Sequence, residues 1–205
     1  MITIIDIGIG NIGSVTRALK FLKCKYIVTD KKEDIENSTK LLFPGVGSFA
    51  EASRKLEASG LKEIIEHQVL VKQIPILGIC LGMQLFAKIG FEGGIFPGFG
   101  FIDAEVKLIE AKKQNLRLPH MGWNNLSSSN LKLLDGTTAN ACFYFVHSYE
   151  MKLNENISHL TTEYGTDIVA MIEKDNIYAT QFHPEKSQEQ GLKIMKNFIE
   201  LQSIC

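Results

Sequence analysis

Short apolar runs with almost no polar alternation recur along the first half of this 205-residue chain. Ile2–Ile5, Tyr26-Ile27-Val28, Leu41-Leu42-Phe43 and Ile74–Ile79 read as strands buried on both faces, which is the signature of a parallel sheet covered by helices. Helical patterns lie between them. Ile12, Val15, Leu19 and Leu22 recur at helical spacing, residues from about Ala50 to Val71 are helical with a break near Gly60, and a helix is expected from Leu81 to about Lys88. The alternation predicts an α/β fold with a mostly parallel central sheet and helices on both faces. Gly90–Gly100 reads as loop. The second half is richer in strands, over Phe101–Leu108, Ala141–Tyr149, Asp167–Glu173 and Ile177–Phe182, and favours antiparallel pairing. A final amphipathic helix carries Leu192, Met195, Phe198 and Ile199. No linker or repeat divides the chain, so residues 1–205 are expected to form one domain.

The fourth apolar run ends in Gly78-Ile79-Cys80-Leu81-Gly82. A strand that stops at a small-residue turn and reopens as a helix presents the side chain at its apex to open space. Here that side chain is a thiol, and a helix N-terminus favours its thiolate form. Cys80 is the candidate nucleophile. Cys24, Cys142 and Cys205 have no comparable frame and read as ordinary core or surface cysteines.

A nucleophile of this kind needs a base and a group to orient that base. Gln181-Phe182-His183-Pro184-Glu185 offers both. Pro184 drives His183 toward an extended conformation. Residues two apart in an extended segment share a side, so Glu185 can fix the imidazole tautomer and leave the other nitrogen for the thiol. His67, His120 and His147 compete for the role, but none has a carboxylate at that spacing. For the developing oxyanion, Leu81 N–H supplies one donor. The glycine-rich loop Pro44-Gly45-Val46-Gly47 supplies candidates for the second, Val46 and Gly47.

Gly8-Ile9-Gly10-Asn11-Ile12-Gly13 also matches the dinucleotide fingerprint, with Asp30 ending the next strand. This is the sequence's best argument for a non-hydrolytic class. Against it, a cysteine elbow and a His-Pro-Glu motif have no role in a dehydrogenase, and any first βα turn of a parallel sheet needs glycine for close packing.

Bulk properties exclude other classes. A net charge of -1 gives no electrostatic reason for a nucleic-acid or anionic-membrane partner. The N-terminus has no basic n-region or cleavage site, and no apolar stretch is long enough to span a bilayer. The four cysteines are scattered without CxxC spacing, so no metal site, disulfide framework or cofactor is expected, and a reducing, cytoplasmic setting is.

Pro44-Gly45-Val46-Gly47, Gly78–Gln84 and His183-Pro184-Glu185 resemble the class I (triad) glutamine amidotransferases, a flavodoxin-like fold. Leu118-Pro119-His120-Met121-Gly122-Trp123-Asn124, Tyr144–Tyr149 and Gln181–Ser187 narrow the resemblance to the glutaminase subunits of imidazole glycerol phosphate synthase. It runs from Asp6 to the terminal helix. The resemblance implies that Cys80, His183 and Glu185 hydrolyse glutamine through a γ-glutamyl thioester. It implies that Gly47, Gln84, Glu92, His147, Ser148 and Tyr149 hold the substrate. Asn11, Pro119, His120, Met121, Trp123, Asn124, Tyr144 and Lys186 would face a cyclase partner, a (β/α)8 barrel in a heterodimer that receives the ammonia. Departures at Ile7, Ser48-Phe49-Ala50 and Lys88–Gly100 leave room for a paralogue that supplies ammonia to a synthase of a bacterial surface sugar. A stand-alone γ-glutamyl thiol hydrolase is the third reading; the aromatic and apolar Pro119–Asn124 block suits a docking surface better.

Overall fold

In the computed structural model, residues 1–110, 116–127 and 130–201 are described, and Cys205 falls outside them. Five parallel strands form the centre: β1 (Ile2–Ile5), β2 (Tyr26–Thr29), β3 (Leu41–Gly45), β4 (Ile76–Cys80) and β13 (Ile177–Thr180). With β11 (Ser158–Glu163) and β12 (Asp167–Lys174) added antiparallel, the order is β11-β12-β13-β4-β3-β1-β2. Its β2-β1-β3-β4 run is the flavodoxin-like order.

The apolar strands do cover both faces. Leu41 and Phe43 point into one core with Ile5 and Ile76, while Leu42 points into the other with Ile2, Ile4, Leu77 and Ile79. Helices α3 (Phe49–Ser59) and α4 (Lys62–Glu66) pack on the first face; α1 (Ile12–Phe21) and α6 (Gln188–Glu200) pack on the second. A short helix α2 (Lys32–Glu36) buries Ile35 in the first core. Gly60 closes α3 in the left-handed conformation, at the expected break.

The helix expected over Leu81–Lys88 is a single turn, α5 (Leu81–Gln84), followed by a strand, β5 (Ala87–Gly90). The reason is tertiary. Phe99 N–H and Ile102 N–H bond the carbonyls of Leu85 and Phe86, where a longer helix would need them. Phe99 and Phe101 then stack, and Phe86 packs edge-on to Phe99, in one aromatic cluster. The Gly90–Gly100 loop accordingly contains β6 (Phe96–Pro97), and a second sheet forms in the order β10-β7-β5-β6, with β7 at Ile102–Leu108 and β10 at Tyr149–Leu153. The strand expected over Ala141–Tyr149 breaks at Ser148. Residues Cys142–His147 (β9) pair with β8 (His120–Asn125), and the chain then enters the second sheet as β10. Among the described residues no helix is long and apolar enough to cross a membrane.

Candidate active site

Strand β4 delivers Cys80 to the C-terminal edge of the sheet with φ 55° and ψ -109°. A side chain in that region is strained, and such strain persists where the surroundings enforce it. The flanking glycines serve close approach rather than the turn itself. A Cβ on Gly82 would lie 1.9 Å from the Phe43 carbonyl oxygen, and one on Gly78 would lie 2.7 Å from the Phe86 ring. The elbow is therefore clamped between β3 and the aromatic cluster. Since α5 is one turn long, its dipole adds little; local donors matter more.

His183 has the extended backbone that Pro184 imposes. Glu185, however, reaches it through a 3-10 turn over Pro184–Lys186, not through strand alternation. The imidazole Nδ1 lies 2.8 Å from Glu185 Oε1, with both side chains buried. Nδ1 therefore carries the proton that this carboxylate accepts. Nε2 makes no hydrogen bond. Burial lowers the pKa of His183, but the Cys80 sulfur and the Glu185 carboxylate outweigh it and raise the value to about 9. At neutral pH the ring is an imidazolium held between the two. Ser187 pins the segment: its hydroxyl donates to His183 O at 2.6 Å and accepts from Tyr144 N–H at 2.9 Å.

Cys80 and His183 open onto a pocket of about 260 Å³. Val46, Gly47, Leu81, Gln84, Glu92, His147, Ser148 and Tyr149 all line it, so the expected nucleophile, base, oxyanion and substrate residues meet at one place. Glu92 Oε2 accepts from Phe49 N–H at 2.6 Å, which ties the carboxylate to the start of α3. Burial raises the pKa of the Tyr149 hydroxyl and the Glu92 charge adds to it. Gln84 is more constrained than the sequence suggests. Its amide nitrogen donates to Tyr149 O and to Gln181 Oε1, both at 3.0 Å, leaving only its carbonyl oxygen for a ligand.

The backbone groups expected to bind an oxyanion are unequal. Leu81 N–H opens α5 and has no carbonyl a turn back to bond. Val46 N–H is not free: it donates to Ile9 O at 2.6 Å. Gly47, at φ 106°, is the adjoining peptide in a conformation that favours glycine. The same contact accounts for the glycine at position 10 of the Gly8–Gly13 turn. The Ile9 carbonyl meets the loop after β3, and a Cβ on Gly10 would lie 3.3 Å from Pro44 O, so this glycine serves close packing of the two loops.

Of the residues expected to face a partner, Met121 and Trp123 are 61% and 48% exposed on β8. Trp123 packs edge-on to Tyr144, and Lys186 Nζ lies over the Tyr144 ring. Asn11 precedes α1 without a side-chain capping bond, and α1 packs beside the Pro184–Lys186 turn. Pro119 is exposed and lines the pocket; Asn124 donates to Glu163 O. His120 is a correction. It is 3% exposed and turned inward, stacked between Phe145 and Tyr164. On a ribbon whose residues alternate between faces, Met121 and Trp123 point out, so His120 points in.

Sequence reasoning missed what His120 does there. Its Nδ1 lies 3.1 Å from His147 Nε2, and His147 Nδ1 lies 2.8 Å from Tyr149 O. Tyr149 O can only accept, so Nδ1 of His147 carries its proton and Nε2 accepts from His120. Burial holds both histidines neutral, lowering their pKa to about 4 for His120 and about 3 for His147. The β8 ribbon and the pocket wall are thus joined by a fixed pair of neutral imidazoles. The apolar neighbours of His120 gave no hint of the pairing; only the β8–β9 register, His120 opposite His147, does.

Comparison with known proteins places this site in context. A family profile described as glutamine amidotransferase class-I matches residues 3–201. The chain is 46% identical over 202 residues to the imidazole glycerol phosphate synthase subunit HisH 1 of Campylobacter jejuni (strain RM1221), covering 98% of this chain and 100% of that one. It is 44% identical over 203 residues to the subunit HisH of Caldanaerobacter subterraneus subsp. tengcongensis, covering 98% of each. A crystal structure of a glutamine amidotransferase shares the fold with a TM-score of 0.76 at 20% identity, covering 97% of each chain.

Proposed function

The chain belongs to the class I glutamine amidotransferase family, and from that premise we propose that it is the glutaminase subunit of an imidazole glycerol phosphate synthase, with one catalytic domain over residues 1–205. It hydrolyses glutamine to glutamate and passes ammonia to a cyclase partner in histidine biosynthesis. The observation that carries the reading is the convergence of Cys80, His183, Glu92 and the His147–Tyr149 corner on one small pocket.

The geometry supports the following chemistry. Glutamine enters with its α-ammonium toward Glu92 and its side-chain amide against Cys80. The thiolate attacks the amide carbon, and the oxyanion that forms turns toward Leu81 N–H. His183, already an imidazolium, gives its Nε2 proton to the departing nitrogen, so ammonia leaves and the γ-glutamyl thioester remains. Neutral His183 then takes a proton from water. The resulting hydroxide adds to the thioester carbon, and Cys80 leaves as thiolate beside the reprotonated ring. Glu185 keeps Nδ1–H in place throughout.

The partner, a (β/α)8-barrel cyclase, docks on Met121, Trp123 and the neighbouring Asn11, Pro119, Tyr144 and Lys186. Docking must also arm the second oxyanion donor, since Val46 N–H is committed to Ile9 O. Glycines on both sides let the Val46 peptide turn cheaply. Equal glutaminase turnover with and without the partner and its ligand would count against that step.

The overall reading is tested with the purified chain and the cyclase of the same organism. Glutamine and free ammonia are compared as nitrogen donors for the wild type and for Cys80→Ala. The expected outcome is loss of glutamine-driven product with ammonia-driven product intact. Glutamine-driven synthesis by Cys80→Ala overturns the triad, and synthesis only with a sugar-modifying synthase assigns the chain to the paralogous pathway.

A further inference from the structure

We propose that Gln181 is a further member of the thiol machinery, an amide that donates a hydrogen bond to Cys80 Sγ and holds the sulfur as thiolate, itself oriented by Gln84. The proposal rests on the reading of Cys80 as the nucleophile and extends it to a residue whose side chain touches the reacting atom.

Gln181 follows β13 and is completely buried. Its backbone N–H is fixed on Ala170 O at 2.8 Å. Its Nε2 lies 3.7 Å from Cys80 Sγ, a normal separation for an N–H···S contact. The direction of that bond follows from the network. Tyr149 O is a carbonyl and can only accept, so the Gln84 atom 3.0 Å away is its NH2 group. The same NH2 reaches Gln181 at 3.0 Å, so that Gln181 atom is its carbonyl oxygen. What remains to face the sulfur is the Gln181 NH2. No alternative orientation satisfies all three contacts.

The donors and acceptors around Sγ favour the anion. A neutral thiol would have one acceptor, Val146 O, at a long 4.0 Å. A thiolate has the Gln181 NH2 as its donor, and the His183 ring adds an electrostatic interaction with the sulfur. A hydrogen bond to the charged form of a group favours that form. A buried primary amide is costly unless its hydrogens are used, and one of the Gln181 hydrogens is used on sulfur. Gln181 leaves the end of β13, the strand paired with β4, and this places its amide beside the Cys80 sulfur at the end of β4.

The test is the pH dependence of Cys80 alkylation by iodoacetamide, followed by peptide mass spectrometry, in the full-length wild type, Gln181→Met and Gln181→Glu. Ionisable groups facing the sulfur are His183 with Glu185 behind it, His147 from β9, and Glu92 and Tyr149 across the pocket. They are common to all three proteins, so differences isolate residue 181. Removing the donor with Gln181→Met should raise the alkylation midpoint by about one pH unit, a tenfold loss of thiolate at a fixed pH below it. Gln181→Glu keeps an acceptor for Gln84 but turns a carboxylate toward sulfur, and should raise the midpoint further. If Gln181→Met does not fold, Gln181→Leu, likewise neutral and without the donor, is measured in its place. Midpoints within about 0.3 unit of wild type overturn the proposal. If Cys80 is not the fastest-alkylated cysteine of the wild type, the nucleophile reading itself fails. If it is fastest and the midpoints do not move, only the role of Gln181 fails.

Discussion

Acid should act on this protein through two histidines that have no catalytic step of their own. His120 and His147 are 3% and 6% exposed, and burial depresses their pKa from 6.5 to about 4 and about 3. The unfolded chain takes up protons below pH 6.5 that the folded chain refuses. The stability these groups contribute is therefore complete above that pH and is lost as pH falls through the folded values. Between about pH 7 and pH 5 the loss is roughly 2 kcal/mol per histidine, or about 4 for the pair. His183 has the opposite sign. Raised to about 9, its contribution is complete below 6.5 and is lost as pH rises toward 9, so on acidification it offsets part of the loss. A variant separates the terms. His120→Phe keeps the stack with Phe145 and Tyr164 but removes the donor to His147 Nε2. At neutral pH it should cost about 1–3 kcal/mol, the price of a buried acceptor left unpaired. With one titrating group gone, the gap to wild type should close by about 2 kcal/mol on going to about pH 5. Urea unfolding at a series of pH values measures both numbers, and common groups cancel in the difference. Parallel wild-type and variant stability curves would refute the claim that His120 is buried neutral.

Three further outcomes follow from the same geometry. Gly82→Ala puts a methyl group 1.9 Å from a backbone oxygen of β3 and should cost more than about 3 kcal/mol, lowering Tm by roughly 6–12 °C; a Tm unchanged to within about 2 °C would show that the elbow is not clamped. Glu185→Gln removes a charge that raises the pKa of His183, so steady-state kinetics should show kcat/KM down by roughly 10³ with the pH profile moved to lower pH, and a simple KM effect would contradict an orienting role. Trp123→Ala truncates an exposed ring, so calorimetric titration with the cyclase should weaken more than about tenfold while Tm stays within a few degrees.

What the sequence conveyed, and what it withheld, divides along the range of the interactions involved. The parallel core was legible because a strand buried on both faces must be apolar throughout, and Leu41–Phe43 and Ile76–Ile79 are. The elbow was legible because its glycines frame Cys80 within five residues, although contacts with β3 and the aromatic cluster are what clamp it, and the His183–Glu185 pair was legible because Pro184 shapes it locally. The short reach of α5 was not, because the carbonyls of Leu85 and Phe86 are claimed by residues 99 and 102, and no local pattern reports a competing partner. His120 fails for a related reason. A motif groups it with Met121 and Trp123 by adjacency, whereas the ribbon separates them by face, and only pairing with β9 decides which face is inside. Val46 is the sharpest instance. Its position after β3 makes it an oxyanion candidate, yet its N–H is bound to a carbonyl of the first βα turn, about forty residues away in sequence. That bond joins the glycine-rich turn beside Asn11 to the loop beside Cys80. The Gly8–Gly13 turn, which resembles a cofactor motif, is therefore tied by its own backbone to the loop after β3.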